Sequence, residues 1–290
     1  MKKAILFKKF KNDAVQCTAC SHYCHIENGK RGICGVRKSI DGTLFVLSYG
    51  RVAAMHLDPI EKKPLYHFLP GTEVVSFGTV GCNFRCDFCQ NWQISQVSKK
   101  PHNTLYGVEY APQQIIDFAL HTNSPSIAYT YTEPGVFFEY AYDVMKLAHE
   151  NKLKNIYVTN GYISKEARQK MKKLLDAANI DLKSLSNTFY HELCGAKLDL
   201  VLECIEDLYK MGVHLELTTL VIPSENDGDK ELEKIALYIA NLDKNIPWHI
   251  SRFFPSYRML DKPITPLKTL QKAERIGKKS GLQNVYIGNI

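Results

Sequence analysis

Two hydrophobic rhythms alternate along the C-terminal three-quarters of this 290-residue chain. Short apolar runs rich in β-branched and aromatic residues fall at 73–80, 126–132, 155–159, 179–182, 214–222 and 248–254, with the length of buried strands. Between them, apolar residues recur every three or four positions over 112–121, 136–150, 164–177, 198–211, 230–242 and 266–280, as on amphipathic helices. Boundary signals agree: Ser164 precedes a first turn rich in Lys and Glu, and Gly212 stops a helix before His214. A further apolar piece at 285–287 can add one more strand.

Six strand-then-helix units predict a parallel sheet, because parallel neighbours need crossover helices. They are too few for a closed eight-fold barrel. The expected fold class is α/β: a partial (β/α)6 TIM-like barrel with parallel strands, plus a small cysteine-rich N-terminal extension. A doubly wound sheet is the alternative that periodicity does not separate. Either places function at the C-terminal strand ends. Residues 1–72 break the rhythm. They carry turn signals at Glu27-Asn28-Gly29 and Ile40-Asp41-Gly42 and a short alternating stretch at 43–48. Asp58-Pro59-Ile60-Glu61-Lys62-Lys63-Pro64-Leu65-Tyr66, with two prolines and no period, reads as a lid or connecting loop. The expected division is therefore 1–72, a cysteine-rich segment and lid, and 73–290, the barrel.

The apolar fraction of 45% fills an ordinary core. No run approaches the roughly 18 apolar residues of a membrane span. Ala4-Ile5-Leu6-Phe7 meets Lys8-Lys9 too soon for a secretion signal, so a cytoplasmic protein without membrane contact is expected. The net charge of +7 is spread over the chain, which favours a solvated lysine-rich surface over an RNA-binding face. Seven of the nine cysteines fall in two tight groups, Cys17/Cys20/Cys24/Cys34 and Cys82/Cys86/Cys89. The odd total and the missing signal argue against disulfides and for metal. Cys204 shares a helical stripe with Val201, Ile205 and Leu208 and reads as a core thiol; Cys194, near a helix end, reads as structural.

The loop Cys82-Asn83-Phe84-Arg85-Cys86-Asp87-Phe88-Cys89 directly follows the first barrel strand. Its three thiolates are one fewer than a closed 4Fe–4S or structural zinc site takes, so a cubane held here keeps one iron free for a ligand. Unrelated reduced thiols, or zinc completed by a distant residue, are the alternatives. Glu133 is the acid of Tyr129-Thr130-Tyr131-Thr132-Glu133-Pro134 and can accept a charged hydrogen bond from a ligand ammonium, or simply start a helix. Asn160-Gly161 is a turn with an amide to offer. Asp181 and Lys183, two residues apart, form either a ligand-contacting pair or a surface ion pair. His249 and Arg252 face a ligand or line the barrel. The N-terminal group, C-x2-C-x3-C-x9-C, supplies four thiolates for a zinc site or an auxiliary iron–sulfur cluster, with unmetallated thiols as the alternative; no Cys-Pro ending follows Cys34, which favours zinc.

These residues resemble the radical S-adenosylmethionine superfamily, whose hallmark is the C-x3-C-x2-C loop with an aromatic before its last cysteine. The likeness runs over about residues 70–255. Tyr129–Pro134 stands where the superfamily has Gly-Gly-Glu-Pro. Thr159-Asn160-Gly161, Asp181-Leu182-Lys183, Val221-Ile222-Pro223 and 249–255 follow at successive strands, in the manner of the pyruvate formate-lyase activating enzyme branch. More narrowly, Cys17–Cys24, 58–68 and Tyr129–Pro134 resemble the AmmeMemoRadiSam system radical enzymes. Members of that family often continue beyond the position of Gly288 with another cysteine pair, whereas this chain stops at Ile290. The resemblance implies one 4Fe–4S cluster on Cys82, Cys86 and Cys89. It further implies S-adenosylmethionine held by Glu133, Asn160, Asp181 and Lys183, with His249 and Arg252 near it, and cleavage of that ligand to a 5′-deoxyadenosyl radical that abstracts hydrogen from a substrate. A flavodoxin- or ferredoxin-type reductant is the implied partner, and oxygen sensitivity follows. Val158 stands where the activating enzyme has an aspartate, so no monovalent-cation site is implied there.

The expected activity is hydrogen abstraction from a small molecule, a protein or an RNA. Activation of a glycyl-radical enzyme is one alternative. A non-catalytic metal or electron-transfer protein is the other; it explains the cysteines but not Glu133, Asn160 and Asp181 at successive strand ends.

Overall fold

A computed structural model describes residues 1–99 and 105–290. At its centre lies one sheet of nine strands. The longer ones are β1 (Arg51–Pro59), β2 (Glu73–Thr79), β3 (Ser126–Tyr129), β4 (Lys154–Thr159), β5 (Ala177–Asp181), β6 (His214–Val221), β7 (Trp248–Arg252) and β8 (Val285–Gly288). From β2 to β8 every strand pairs in parallel with the next in the chain. β1 lies antiparallel outside β2, and the two-residue strand Val108–Glu109 lies antiparallel outside β1.

The strand order decides between the two expected architectures. A doubly wound sheet reverses its order at a switch point. Here the order from β2 to β8 never reverses, so right-handed crossovers send the connecting helices to one face. The sheet also curls. Thr130 just beyond β3, Val158 on β4, Asp181 on β5, Thr218 and Leu220 on β6 and Ser251 on β7 all line one cavity. A flat sheet would spread these strands over about 19 Å. The fold is an open α/β barrel with parallel strands.

The expected helices form at Pro112–His121, Phe138–Glu150, Lys165–Met171, Leu198–Lys210, Asp229–Leu242 and Leu267–Lys279. Ser164 caps the third, its hydroxyl accepting the Ala167 N–H at 3.1 Å. That helix ends at Met171, short of the expected 177, because Ala177 and Ala178 pair with Ile156 and Tyr157 in the sheet. The piece expected at 285–287 is the parallel edge strand β8.

Two features depart from the sequence pattern. β1 extends the sheet N-terminal of residue 73; its side chains are mostly half-buried, so it shows no clear alternation. The segment 58–66, expected to be a lid or connecting loop, is a connection packed inward as a floor. Ile60 and Leu65 are fully buried with Val74, Ala128, Ile156 and Ala177, of which Val74 and Ala177 stand at or next to the N-terminal ends of their strands. Asn179 Nδ2 donates to the Pro64 carbonyl at 2.7 Å, fastening this segment from inside the barrel.

The first fifty residues form two small antiparallel sheets, one of Lys2–Lys3, Arg37–Ile40 and Thr43–Val46, the other of Phe7–Lys9, Val15–Cys17 and His25–Ile26. Val15, Ile26, Val36 and Leu44 merge into the barrel core. A buried ion pair ties the two parts: Arg37 Nη1 lies 3.2 Å from Glu139 Oε1, and Arg37 Nε donates to the Val136 carbonyl at 3.0 Å. The same Glu139 oxygen accepts the Ile5 N–H. Both side chains are only 2% exposed. Arg37→Ala strands a buried carboxylate and is expected to cost roughly 3–5 kcal/mol. Arg37→Met with Glu139→Leu should cost much less; urea unfolding of the three proteins checks the difference.

Candidate active site

The three-cysteine loop leaves β2 at Gly81, whose φ of +105° is open to glycine alone among residues without strain. Space demands glycine too, since a Cβ there would lie 2.7 Å from Val36 Cγ1. Beyond it the loop has no regular structure and is pinned by its surroundings. Arg85 N–H and Asp87 N–H donate to the carbonyls of Cys194 and Leu193 at 2.9 and 3.1 Å. Phe84 is buried against Tyr162, and Phe88 against Phe189. Cys194 is thus structural through its carbonyl, and its free thiol neighbours that of Cys86.

Cys82, Cys86 and Cys89 line one wall of a cavity of about 360 Å³. Glu133, Thr159, Asn160, Asp181 and Lys183 line it as well. Among the described residues no three His, Cys, Asp or Glu side chains close on a single-ion site. Three thiols lining one cavity are a donor set that can hold a cluster with one iron corner left open. Burial raises the pKa of Cys82 and Cys89, and the neighbouring Cys194 thiol together with burial raises that of Cys86, so metal uptake must displace their protons. Lys99 sits beside them, donating to the Phe84 carbonyl and to Gln96 Oε1. Its charge helps Cys82 towards the thiolate.

Glu133 is 1% exposed. Its Oε1 accepts the Gly135 N–H at 3.0 Å, capping the turn Pro134–Phe137, and its Oε2 accepts the Asn160 N–H at 2.9 Å. The Thr159 hydroxyl bridges both oxygens at 2.8 and 3.0 Å. Three donors leave one of the carboxylate's roughly four lone-pair positions open. Burial outweighs these bonds and raises its pKa to about 7. Both sequence-level readings of Glu133 therefore meet in one residue, which caps a turn and faces the cavity.

Asn160 Nδ2 donates to Asn83 Oδ1 at 2.8 Å, so the Asn-Gly turn grips the cysteine loop. Asp181 and Lys183 pair at 2.7 Å within the cavity wall, and the ammonium lies 5.8 Å from the Phe88 ring centre. Burial opposes the lysine's charge, but Asp181 overrides it and holds the pKa well above the usual value. Val158 lines the cavity, so no carboxylate stands at that position.

The remaining expected pair lies elsewhere. His249 Nε2 bonds Glu216 Oε2 at 2.6 Å and lines an adjoining cavity. Arg252 lines neither cavity; it donates to the Thr265 carbonyl at 2.8 Å and stacks on Phe254. Sequence reading missed Glu216, Lys63 and Asp58. Lys63 is buried, bonded to Asp58 at 2.8 Å, and both meet the inward-reaching Tyr131, whose hydroxyl donates to Asp58 at 3.0 Å. A lone acid inside the apolar stretch Leu215-Glu216-Leu217 was the available signal for Glu216.

The four N-terminal thiols gather behind the loop. Cys17, Cys20 and Cys34 are buried and Cys24 is partly so. Burial raises the pKa of each, and neighbouring thiols of the group raise each further. The module touches the cavity-forming turns directly: His22 Nε2 bonds the Asn83 carbonyl at 3.0 Å, and Ser21 N–H donates to the Tyr162 carbonyl at 3.1 Å.

A profile of the Radical SAM superfamily matches residues 77–236. The chain belongs to that superfamily. An uncharacterized protein of Methanocaldococcus jannaschii, MJ0808, is 42% identical over all of this chain and 86% of its own length. The 4-hydroxyphenylacetate decarboxylase activating enzyme of Clostridium scatologenes is 25% identical over 57% of this chain and 54% of its own. A radical SAM methyltransferase from Sphaerobacter thermophilus shares the fold with a TM-score of 0.60, at 14% identity over 76% of this chain and 67% of that one.

The carboxylate of Glu133 gives a pH test. Between its unfolded value near 4.5 and its folded value of about 7, the folded chain holds the proton more tightly. Stability conferred by that proton is full below the lower value and is lost as pH rises through the upper one, by about 3 kcal/mol in all. Chemical denaturation of the cluster-free protein at pH 5 and pH 8 should show the loss, and Glu133→Gln should remove it.

Proposed function

We propose that the chain is a radical enzyme that cleaves S-adenosylmethionine and abstracts hydrogen from a substrate held in the barrel. The observation that carries this reading is the single cavity shared by Cys82, Cys86 and Cys89 with Glu133, Asn160, Asp181 and Lys183. Three cavity-facing thiols fit a 4Fe–4S cluster with one iron left open. When bound, that cluster supplies the electron that cleaves S-adenosylmethionine into methionine and a 5′-deoxyadenosyl radical. Glu133 offers its open lone pair to the methionyl ammonium, which also supplies the positive charge that its buried site lacks. Asp181 and Lys183, already paired, present fixed charges to the polar groups of the ligand. Phe84 and Phe88 keep water from the cluster side.

Anaerobic protein loaded with iron and sulfide, then given dithionite and S-adenosylmethionine, should release 5′-deoxyadenosine, read by mass spectrometry. Cys86→Ala should lose the product and the share of iron held by the three-cysteine loop, about half of the total if a second cubane is present, while keeping its far-ultraviolet circular dichroism. Global unfolding of that variant, or a full reducible cluster with no cleavage, would instead support a structural or electron-transfer metal protein. An activating role on a partner protein is the second reading, supported by the likeness to the 4-hydroxyphenylacetate decarboxylase activating enzyme.

For Cys17, Cys20, Cys24 and Cys34 the proposal is an auxiliary iron–sulfur cluster rather than zinc. Four grouped thiols, three of them buried and Cys24 partly so, call for a cation, and four thiolates are the full ligand set of a 4Fe–4S cluster. Protein with Cys82, Cys86 and Cys89 all changed to Ala should still bind about four irons on reconstitution, as expected of one cubane. One zinc per chain in that variant would reverse the assignment.

A further inference from the structure

A second cavity, of about 400 Å³, adjoins the first; Lys62, Thr218 and Ser251 line both. Its other walls are Glu61, Pro64 and Tyr66 from the floor, His249 and Ile250 from β7, and Gly288 and Asn289 at the open edge of the barrel. Its size is that of a small-molecule site.

Beneath it lies a polar knot that none of the proposed cofactor contacts uses. Glu216, fully buried, accepts four hydrogen bonds: from Tyr66 N–H at 3.0 Å, His67 N–H at 2.8 Å, His214 Nε2 at 3.1 Å and His249 Nε2 at 2.6 Å. Burial opposes its ionisation, but these donors prevail and bring its pKa down to about 2. An ionised carboxylate only accepts, so the proton between it and His249 resides on Nε2. His249 is held further by the rings of Tyr66 and Tyr286, with centres 4.7 and 5.5 Å away. The ring is therefore fixed in place, and Nδ1 has no protein partner among the described residues. The Ser251 and Tyr66 hydroxyls on the same walls have none either. A buried carboxylate that orients an imidazole and leaves its second nitrogen at a cavity is how proteins present a hydrogen-bonding or proton-accepting group to a ligand.

We infer that this second chamber is the substrate site, that it takes a small hydroxyl-bearing molecule, and that His249 Nδ1 contacts one of its hydroxyls, with Glu216 as the positioning residue. Ser251, on the seam between the two cavities, holds the substrate beside the adenosyl ligand. The inference rests on the proposed radical chemistry and extends it by choosing a small molecule over a protein substrate.

The test uses cluster-loaded protein, S-adenosylmethionine and an extract of the cells that make the protein, grown on fully deuterated medium. The extract is divided into a fraction below about 1000 Da and a macromolecular fraction; a cavity of about 400 Å³ encloses only molecules of the first. Hydrogen abstraction then appears as deuterium in 5′-deoxyadenosine. The expected result is label from the small fraction. His249→Gln should lower the labelled share of the product at least tenfold and Ser251→Ala severalfold, in protein whose iron content and circular dichroism match the parent. A merely structural role would lower labelled and unlabelled product together and leave the share unchanged. That outcome overturns the assignment of His249, as does label arising from the macromolecular fraction or from neither. Absence of all 5′-deoxyadenosine from the parent protein defeats the radical reading itself and is thereby distinguished from failure of the chamber.

Discussion

The site depends on one steric constraint, the absence of room at Gly81. There the chain leaves β2 with Val36 close against it, and only a residue without a side chain can pass. Because it turns at that point, the cysteine loop lies across the strand ends and meets the Asn160 turn through Asn83. The N-terminal module therefore helps to shape the loop: its Val36 closes the space on one side, while His22 holds the Asn83 carbonyl on the other.

Two buried carboxylates show how the barrel divides its electrostatics. Glu216 has two imidazoles and two backbone amides around it and stays ionised without help. Glu133 has backbone amides and a hydroxyl, with no cation among the donors it bonds, and is driven towards neutrality. The first is complete in itself and serves as scaffold. The second is left short of positive charge, which is the condition expected of a group that waits for a cationic ligand.

Much of this architecture was legible in the sequence because β-then-α rhythm and thiol spacing are local signals. The parallel strands and the capped helix after Ser164 follow from them, whereas Glu133, Asn160 and Asp181, which line one cavity with Cys82, Cys86 and Cys89, were singled out by the resemblance to the superfamily. What escaped was tertiary. β1 carries little alternation because it is covered unevenly, and 58–66 looked like a lid or connecting loop because two prolines hide the fact that Ile60 and Leu65 are core residues. His249 was visible as a polar residue on a barrel strand, but its partner Glu216 is thirty-three residues earlier, a distance only the fold can close. Arg252 stands two residues after Ile250 on the same strand, yet the segment reaching Thr265 draws it aside.

The attachment of the floor also bears on how such a sequence can drift. Glu216 holds the segment below the barrel through the backbone N–H groups of Tyr66 and His67. Amides of this kind are present whatever side chain follows, proline excepted. Positions 66 and 67 can therefore change identity, and position 66 with it the lining of the chamber, while the floor stays fastened. The carboxylate at 216 has no such freedom. Variation in specificity and constancy of structure are thereby assigned to opposite partners of the same hydrogen bonds.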